Sequence, residues 1–327
     1  MGVQFDRVLD GFSGPFAKVA DWNVPVPRVT LPCTTVQNDC FLAMNRAAKA
    51  GSASPMRPAR IALWDQFGGS MESGWTRWIL EQFEFPFTRV FAPELDAGNL
   101  NAKYDVLILP SGAIPAPPSP AGAQGGRGGP STGSGQAGGR GGGPDPQTIP
   151  AEYRTQLGRV TADRTIPQIR AFVENGGTVV AISDSAMNLA RQLKLPVENH
   201  LVENGDDLPA AKYFVPGSVL TATIDTTHPL AAGMRERTDF FFDNSPVFKL
   251  GAGAEAAGVR AFARFDTPTP LHSGWAWGQK YLEGGIVAIE ARVGKGRVVL
   301  YGPEILQRAQ PHGTFKLLFN ALVASSQ

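Results

Sequence analysis

Short apolar segments that alternate with amphipathic ones are the feature that most constrains the fold of this 327-residue chain. The predicted strands and helices follow one another at residues 60–65, 71–83, 104–110, 164–175 and 178–182. Strands that are apolar along their whole length are typical of a parallel sheet that is covered on both faces. We therefore predict the α/β class, with a mainly parallel sheet and helices on both faces.

The C-terminal part of the chain has a second pattern, which is rich in short β segments. Two apolar strands at residues 285–290 and 297–301 are joined through Gly294-Lys-Gly296, which favours a hairpin turn. A β-rich C-terminal portion is therefore predicted beside the parallel sheet. The last helix is predicted over residues 312–323.

Two of the predicted helices have an apolar face at helical spacing. In the helix at residues 71–83 this face comprises Trp75, Trp78, Ile79 and Gln82. In the last helix it comprises Phe315, Leu318, Phe319 and Leu322. Both faces are predicted to pack on the sheet.

A Gly- and Pro-rich stretch interrupts the α/β pattern at about residues 113–148. Its one large aliphatic residue is Ile114 and it contains no aromatic residue, so it cannot bury enough apolar surface to offset its ordering entropy. We predict a disordered surface insertion within one domain that spans residues 57–327. Residues 1–56 are predicted to be an N-terminal extension or the remnant of an upstream domain.

The charge balance gives the chain no strong electrostatic field. Thirty Lys and Arg residues against 29 Asp and Glu residues leave a formal net charge of +1, so no nucleic-acid partner is predicted. No apolar run reaches the roughly 20 residues that a membrane span needs. The N-terminal residues also lack the basic-then-apolar pattern of an export signal.

The two cysteines of the chain, Cys33 and Cys40, lie seven residues apart. This separation permits one small disulfide or two free thiols, and two free thiols are the interpretation that we favour. Neither cysteine has the CxxC spacing of a metal or redox site.

The strand predicted at residues 178–182 runs directly into a helix, and Ser183 occupies the junction. A nucleophile elbow presents its side chain at such a junction. Ser and Asp also cap helices, so the simpler interpretation is that Ser183 and Asp184 cap the helix that follows. The carboxyl ends of parallel strands meet at one edge of a sheet. The residues expected at this edge are Asp65, Pro110-Ser111, Ser183 and Gly302.

Several longer segments of the sequence are similar to those of a known family. They are Ser73-Gly-Trp-Thr-Arg-Trp-Ile-Leu-Glu-Gln-Phe-Glu-Phe-Pro-Phe87, Pro216-Gly-Ser-Val-Leu220, Asp225-Thr-Thr-His-Pro-Leu-Ala-Ala-Gly-Met234 and Gly296-Arg-Val-Val-Leu-Tyr-Gly-Pro-Glu304, together with residues 308–322. They resemble the C-terminal region of large bacterial zinc carboxypeptidase-like proteins, over about residues 38–322. That region is itself similar to a class I glutamine amidotransferase domain, which implies a glutamine amidotransferase-like, flavodoxin-like fold.

The resemblance also implies a role for each position of the site. The nucleophilic Cys of the amidotransferases becomes Ser183, the His of their His-Pro-Glu becomes Gly302, and the orienting acid remains as Glu304. Because a nucleophile without its base is weak, the resemblance implies a pseudoenzyme that serves as a non-catalytic accessory domain. One alternative is a serine-type hydrolase in which His312 acts as a relocated base for Ser183, with Glu304. Another is a ligand-binding module that kept the pocket.

The family further implies partners, cofactors and a location. The upstream peptidase domain of the parent protein is the implied partner, and a peptide is an implied ligand. Zinc is implied in that upstream domain alone, so no cofactor is expected in this chain. The parent family is expected to be exported, periplasmic or secreted, whereas the oligomeric state is not determined by the sequence.

A zinc site within this chain is a weaker alternative. His200-Leu-Val-Glu203 followed by His312 has the spacing of a carboxypeptidase zinc motif, which supplies two nitrogens and a carboxylate. HxxE is a common chance occurrence, and its surroundings match a connecting loop of the amidotransferase-like region. We therefore predict no metal ligands in this chain.

Other polar and aromatic residues have structural interpretations. His228 precedes a proline in a turn-like segment and is predicted to be structural. His272 lies before Trp275 and Trp277, which permit an aromatic-lined pocket but are predicted to pack together on one face of a strand. Gly68-Gly69-Ser70 offers backbone N–H groups to an anion, although no phosphate-loop lysine follows.

Overall fold

The computed structural model describes residues 30–51, 58–117 and 145–325. Its strands, in chain order, are β1 (Ile61–Trp64), β2 (Phe87–Val90), β3 (Val106–Leu109), β4 (Thr178–Ile182), β5 (Val197–Asn199), β6 (Val202–Glu203), β7 (Asp206–Asp207), β8 (Ser218–Ile224), β9 (Arg237–Phe242), β10 (Phe248–Leu250), β11 (Val259–Arg264), β12 (Leu271–Ser273), β13 (Ile286–Val293) and β14 (Gly296–Tyr301). The α-helices are α1 (Asp39–Lys49), α2 (Met71–Gln82), α3 (Ala92–Asp96), α4 (Leu100–Lys103), α5 (Thr165–Glu174), α6 (Asp184–Gln192) and α7 (Phe315–Ala324).

Twelve of these strands form one mixed sheet in the order β12-β8-β11-β13-β14-β4-β3-β1-β2, with β9 beside β8 and with β10 between β13 and β5. The pairs from β14 to β2 are parallel, whereas those from β14 through β13 and β11 to β12 are antiparallel. The predicted α/β class and the β-rich C-terminal portion are therefore confirmed. The strands predicted near Ile61, Val106, Val179 and Val299 all lie in the parallel half.

Strands β1, β3 and β4 are buried along their whole length because both faces of the sheet are covered, whereas the edge strand β2 exposes Thr88 and Arg89. Along β4, Val180 and Ile182 belong to one apolar core, while Val179 and Ala181 belong to the other. Helices α1, α2 and α7 contribute to the first core, and α3 to α6 contribute to the second. Side chains of successive strand residues point to opposite faces, so an unbroken apolar strand serves both cores.

The hairpin between β13 and β14 forms at the predicted position. Val293 pairs with Gly296, which leaves Gly294 and Lys295 as the turn. Gly294 has φ +58°, and a Cβ built there would lie 2.7 Å from the Glu174 carbonyl oxygen. Glycine therefore suits this turn for both its backbone angle and its close packing.

Helix α1 shares the core of the sheet, although residues 1–56 are predicted to be an extension. Phe41 is fully buried, and its ring centroid lies 5.1 Å from that of Phe319 on α7. A disulfide joins Cys33, in the segment before α1, to Cys40 in the first turn of α1, so the prediction of free thiols is wrong. Their Cα atoms lie 5.7 Å apart, within the range that a disulfide spans.

The beginning of the predicted insertion is packed against α6. Ala113 and Ile114 are each 2% exposed, and their N–H groups donate to the Ser185 hydroxyl at 2.9 and 3.1 Å. The predicted start of the insertion, at about residue 113, is therefore too early. The sequence alone does not show that the Ser185 hydroxyl accepts hydrogen bonds from Ala113 and Ile114. Residues 118–144, on which the predicted disorder mainly falls, lie outside the described residues.

Two helices differ in detail from their prediction. Helix α2 buries Thr76, Ile79 and Leu80, whereas Trp78 is 48% exposed, so Ile79 of the predicted face packs in the core but Trp78 does not. The last helix begins at Phe315 rather than at residue 312, which places His312 in the preceding turn. Among the described residues, no helix is long and apolar enough to cross a membrane.

Candidate active site

Ser183 lies at a sharp turn between β4 and α6. Its backbone angles are φ +56° and ψ −131°, and its N–H group donates to the Tyr301 carbonyl oxygen at 2.7 Å. A non-glycine residue in this region of backbone space costs on the order of 1–3 kcal/mol and persists only where the surroundings impose it. Burial of β4 and the hydrogen bond to β14 impose it here, and the result is the geometry of a nucleophile elbow.

The Ser183 side chain does not cap α6. Its hydroxyl makes no capping hydrogen bond and lies close enough to the Glu304 carboxyl group to lower the pKa of that group. The Ser111 hydroxyl acts on the same carboxyl group in the same direction. The simpler interpretation of Ser183 as a helix cap is therefore wrong, because its left-handed backbone directs the hydroxyl toward β14.

The three residues meet because their strands are neighbours. Ser111 follows β3, Ser183 follows β4 and Glu304 follows β14, and these strands pair in parallel with matched ends. The carboxyl ends of adjacent parallel strands form one edge, as expected for this fold class. The sequence thus predicts correctly that Ser111 and Ser183 converge.

Glu304 is an uncharged acid over most of the neutral range. Burial raises its pKa to about 8, and the nearby charge of Glu72 adds to the rise, whereas the hydrogen bonds from Ser183 and Ser111 oppose it. At pH 7 its carboxyl is mainly protonated. In that state it cannot accept the serine proton or stabilise a neighbouring imidazolium.

Two further carboxyl groups lie near Glu304. Glu72, in the first turn of α2, is 9% exposed and accepts a hydrogen bond from the Ser70 hydroxyl at 3.0 Å. The protein atoms around the Asp184 carboxyl raise its pKa by desolvation, and the charge of Glu72 adds to the effect, although Asp184 keeps an exposed surface. This arrangement disfavours any further negative charge at the site.

The backbone at Gly302 leaves no space for a side chain. A Cβ built there would lie 2.1 Å from the Pro246 carbonyl oxygen and 3.4 Å from the Phe248 ring. A histidine therefore does not fit at this position without movement of the segment around Pro246. The absence of the family's base at position 302 thus matches the packing of this chain.

His312 has partners away from the elbow. Its ring stacks on Phe315 with the centroids 4.8 Å apart, and its carbonyl oxygen accepts a hydrogen bond from the Asn38 side chain at 2.8 Å. Burial lowers the pKa of His312, so its neutral form is favoured. Within the described part of the chain, its ring makes no hydrogen bond to Ser183 or Glu304.

The weaker zinc alternative is not assembled either. The His200 ring nitrogen Nε2 bonds to the Glu283 carbonyl oxygen at 3.1 Å, while Glu203 pairs with Lys212. Residues 30–51, 58–117 and 145–325 contain no group of three or more His, Cys, Asp or Glu residues that could hold a metal ion. The expectation that the chain has no cofactor stays a prediction.

The remaining histidines have structural partners. His228 accepts a hydrogen bond from Leu230 N–H at 3.3 Å, stacks on Phe262 at 4.6 Å and lies 3.3 Å from a Glu290 oxygen. His272 pairs with Asp239 at 2.8 Å on an exposed surface. In both arrangements the histidine contacts neighbouring loops and strands, and neither histidine contacts Ser183 or Glu304 within the described residues.

Asp65 positions the loop that follows β1. Its Oδ1 atom accepts hydrogen bonds from the N–H groups of Gln66 at 2.9 Å and Ser70 at 3.0 Å. Ser70 then accepts from Ser73 N–H and caps α2. Asp65 thus fixes the start of helix α2, which carries Glu72. The sequence analysis did not identify Glu72 as a residue of the site.

The fold has distant likenesses among solved structures. No family model matches the sequence, and no curated protein matches it. A ThuA-like protein from Bacteroides uniformis has 8% identity and a TM-score of 0.45, with 83% of this chain and 92% of that chain covered. A GMP synthase-type protein from Thermoplasma acidophilum has 7% identity and a TM-score of 0.40, with 80% and 96% covered.

A β-galactosidase from Bacillus circulans sp. alkalophilus has 12% identity and a TM-score of 0.44, with 82% of this chain covered. This chain spans 31% of that enzyme's length. The strand order and buried parallel strands of the chain itself define the class: it is an α/β protein. Its candidate site lies at the carboxyl ends of β3, β4 and β14.

Proposed function

We propose that this chain is a non-catalytic accessory domain of a zinc carboxypeptidase-like protein, with a degenerate amidotransferase-type site. The observation that carries the non-catalytic part is the proximity of Ser183 to the Glu304 carboxyl group, whose pKa burial raises to about 8. The accessory role rests on the sequence segments shared with the C-terminal region of that family.

The proposed loss of activity follows from the protonation states of the Ser183 hydroxyl and the Glu304 carboxyl group. A serine hydroxyl stays protonated near neutral pH, and general-base assistance is worth roughly 10² to 10⁴ in rate. Glu304 is mainly protonated there, and Gly302 supplies no base. The elbow therefore has a strained backbone without the group that would activate its hydroxyl.

The test of the non-catalytic part is hydrolysis by the purified chain. Glutamine, a peptide and p-nitrophenyl acetate are the substrates, and Ser183→Ala and His312→Ala are the variants. We expect the wild-type chain to give no more turnover than either variant. Turnover that both substitutions abolish would instead establish the serine-type hydrolase, with His312 as the relocated base.

The accessory role needs a separate measurement. The peptidase domain of the parent protein would be assayed alone and joined to this region, with a peptide substrate. We expect the joined form to differ in KM or in thermal stability. Equal KM, kcat and melting temperature in the two forms would contradict the accessory role without affecting the first test.

A further inference from the structure

A loop after β12 presents two tryptophans to solvent. Trp275 is 53% exposed and Trp277 is 54% exposed. The sequence predicts that they pack on one face of a strand, but they lie in a loop that we call the aromatic loop, residues 274–278. Large exposed aromatic side chains at one place mark a binding surface more often than single exposed residues do.

Backbone hydrogen bonds hold the aromatic loop in place. The Trp277 N–H group donates to the Phe214 carbonyl oxygen at 2.9 Å, and Phe214 N–H donates back at 3.0 Å. The buried Ser218 hydroxyl accepts from Trp275 N–H at 3.0 Å, and its one proton is shared between the carbonyl oxygens of Pro216 at 2.6 Å and Trp275 at 2.8 Å. These hydrogen bonds thus fix the backbone of each tryptophan.

Glycines at both ends allow this close attachment. A Cβ built on Gly274, where φ is +100°, would lie 2.6 Å from the Ser218 hydroxyl oxygen. On Gly278, where φ is +69°, it would lie 2.0 Å from the Lys212 carbonyl oxygen. The loop is therefore built to hold the two indoles outward at little entropic cost on binding.

The indole of Trp277 is available mainly through its face. Its Nε1–H group already donates to the Ala211 carbonyl oxygen at 2.8 Å, which fixes the ring and occupies its donor. The ring of Trp275 has its centroid 6.1 Å from that of Phe214. A ligand recognised at Trp277 must therefore stack on the flat apolar face of the ring, because its indole N–H is already occupied.

Two polar pairs flank the loop. Lys212 forms an ion pair with Glu203, and a ring nitrogen of His272 lies 2.8 Å from an Asp239 oxygen. The Lys212–Glu203 ion pair offers no net charge to a ligand, which favours an uncharged occupant. The exposed polar atoms of Asp239 and His272 can still exchange hydrogen bonds with hydroxyl groups.

From these features we infer that the aromatic loop binds a neutral polysaccharide. Pyranose rings present flat C–H faces that stack on indoles, and their hydroxyls match the polar rim. The loop lies at the antiparallel end of the sheet, and β8, β11 and β13 separate β12 from the strands of the Ser183 site. Binding at this loop is therefore independent of the proposed function.

The test is affinity electrophoresis of the full chain in gels that contain hydroxyethyl cellulose, galactomannan or β-1,4-galactan, followed by fluorescence titration. We expect at least one of these polysaccharides to retard the chain. Trp275→Ala and Trp277→Ala should each weaken that binding by about ten-fold or more. Trp78→Ala, which removes a tryptophan of similar exposure (48%) from α2, should leave the binding unchanged.

Several results would overturn the inference. One is the absence of retardation by all three polysaccharides, and another is undiminished binding by the Trp275→Ala/Trp277→Ala double variant. Loop-dependent binding of a decaproline peptide, or loop-dependent self-association in sedimentation, without polysaccharide binding would assign the surface to another occupant. Circular dichroism of each variant would verify its folding, and Trp275→Ala alone suffices if Trp277→Ala fails to fold.

Discussion

At the Ser183 site, the backbone has the geometry of a nucleophile elbow, but the neighbouring Glu304 does not activate the hydroxyl. The turn at Ser183, with φ +56°, has the strain of a nucleophile elbow. Its hydroxyl nevertheless meets a carboxyl group whose pKa burial raises to about 8. Backbone strain is maintained by β4, α6 and the hydrogen bond to Tyr301, so it does not depend on catalysis.

The raised pKa of Glu304 predicts a pH-dependent stability. The native state holds a proton that the unfolded chain releases near the ordinary pKa, so stability should fall as pH rises from about 4.5 to about 8. Glu304→Gln, which cannot ionise, should lack this fall. Because a pKa shift from about 4.5 to about 8 corresponds to roughly 5 kcal/mol, we expect the variant to gain up to about that amount relative to wild type across the window.

Urea unfolding at several pH values measures this difference. Glu152→Gln, a change at an exposed residue in the 151–156 turn, is the matched control and should run parallel to wild type. If the Glu304→Gln and wild-type curves also run parallel, Glu304 is ionised in the native state and the account of the site is wrong.

Gly302 yields a second prediction at the residue scale. Because a Cβ there would lie 2.1 Å from the Pro246 carbonyl oxygen, Gly302→Ala should lower the free energy of unfolding by about 1–3 kcal/mol. Gly302→His should lower it further and should not produce esterase activity. Gly313→Ala is the control, since a Cβ built there has no neighbour within 4 Å.

The sequence could identify Ser183 but not its chemical state. Position 183 can be recognised as a strand–helix junction because an apolar strand precedes it and a helix follows it. Both elements are visible as local patterns in the sequence. The protonation of Glu304 depends on burial and on Glu72, which follows a different strand. The ring of His312 stacks on Phe315, three residues further along the chain, and the sequence could not show whether the ring reaches Ser183 instead.

At the scale of single elements, the strands were predicted better than the helix faces. An unbroken apolar segment such as β4 must be buried on both sides, whatever its neighbours are. A helical spacing of aromatic residues does not show which face is covered, and α2 buries Thr76, Ile79 and Leu80 while Trp78 remains exposed. The start of the insertion was misplaced for a similar reason, because its partner Ser185 is distant in sequence.

Helix α1 provides a prediction at this scale. Phe41→Ala should lower the free energy of unfolding by about 3–5 kcal/mol, because Phe41 is fully buried against Phe319. Val36→Ala, at a residue that is 63% exposed, should change it by less than about 0.5 kcal/mol. Denaturant unfolding with the disulfide intact is the measurement. Equal stability of the two variants would show that α1 is an extension outside the folding unit.

At the scale of the whole molecule, one sheet joins two surfaces with different properties. The parallel half ends at the Ser183 site, where three carboxyl groups lie near one another and burial suppresses ionisation of Glu304. The antiparallel half carries the aromatic loop, which backbone hydrogen bonds hold in place. The two proposals therefore concern separate surfaces of one sheet and can be tested independently.

The reactivity of Ser183 toward a fluorophosphonate tests the central claim most directly. The chain would be incubated with the probe at pH 7 beside an active serine hydrolase, and intact mass would report adducts. We predict no adduct on this chain while the control enzyme is fully labelled, because the hydroxyl of Ser183 has no base. One adduct per chain that disappears in Ser183→Ala would contradict the account and show an activated nucleophile.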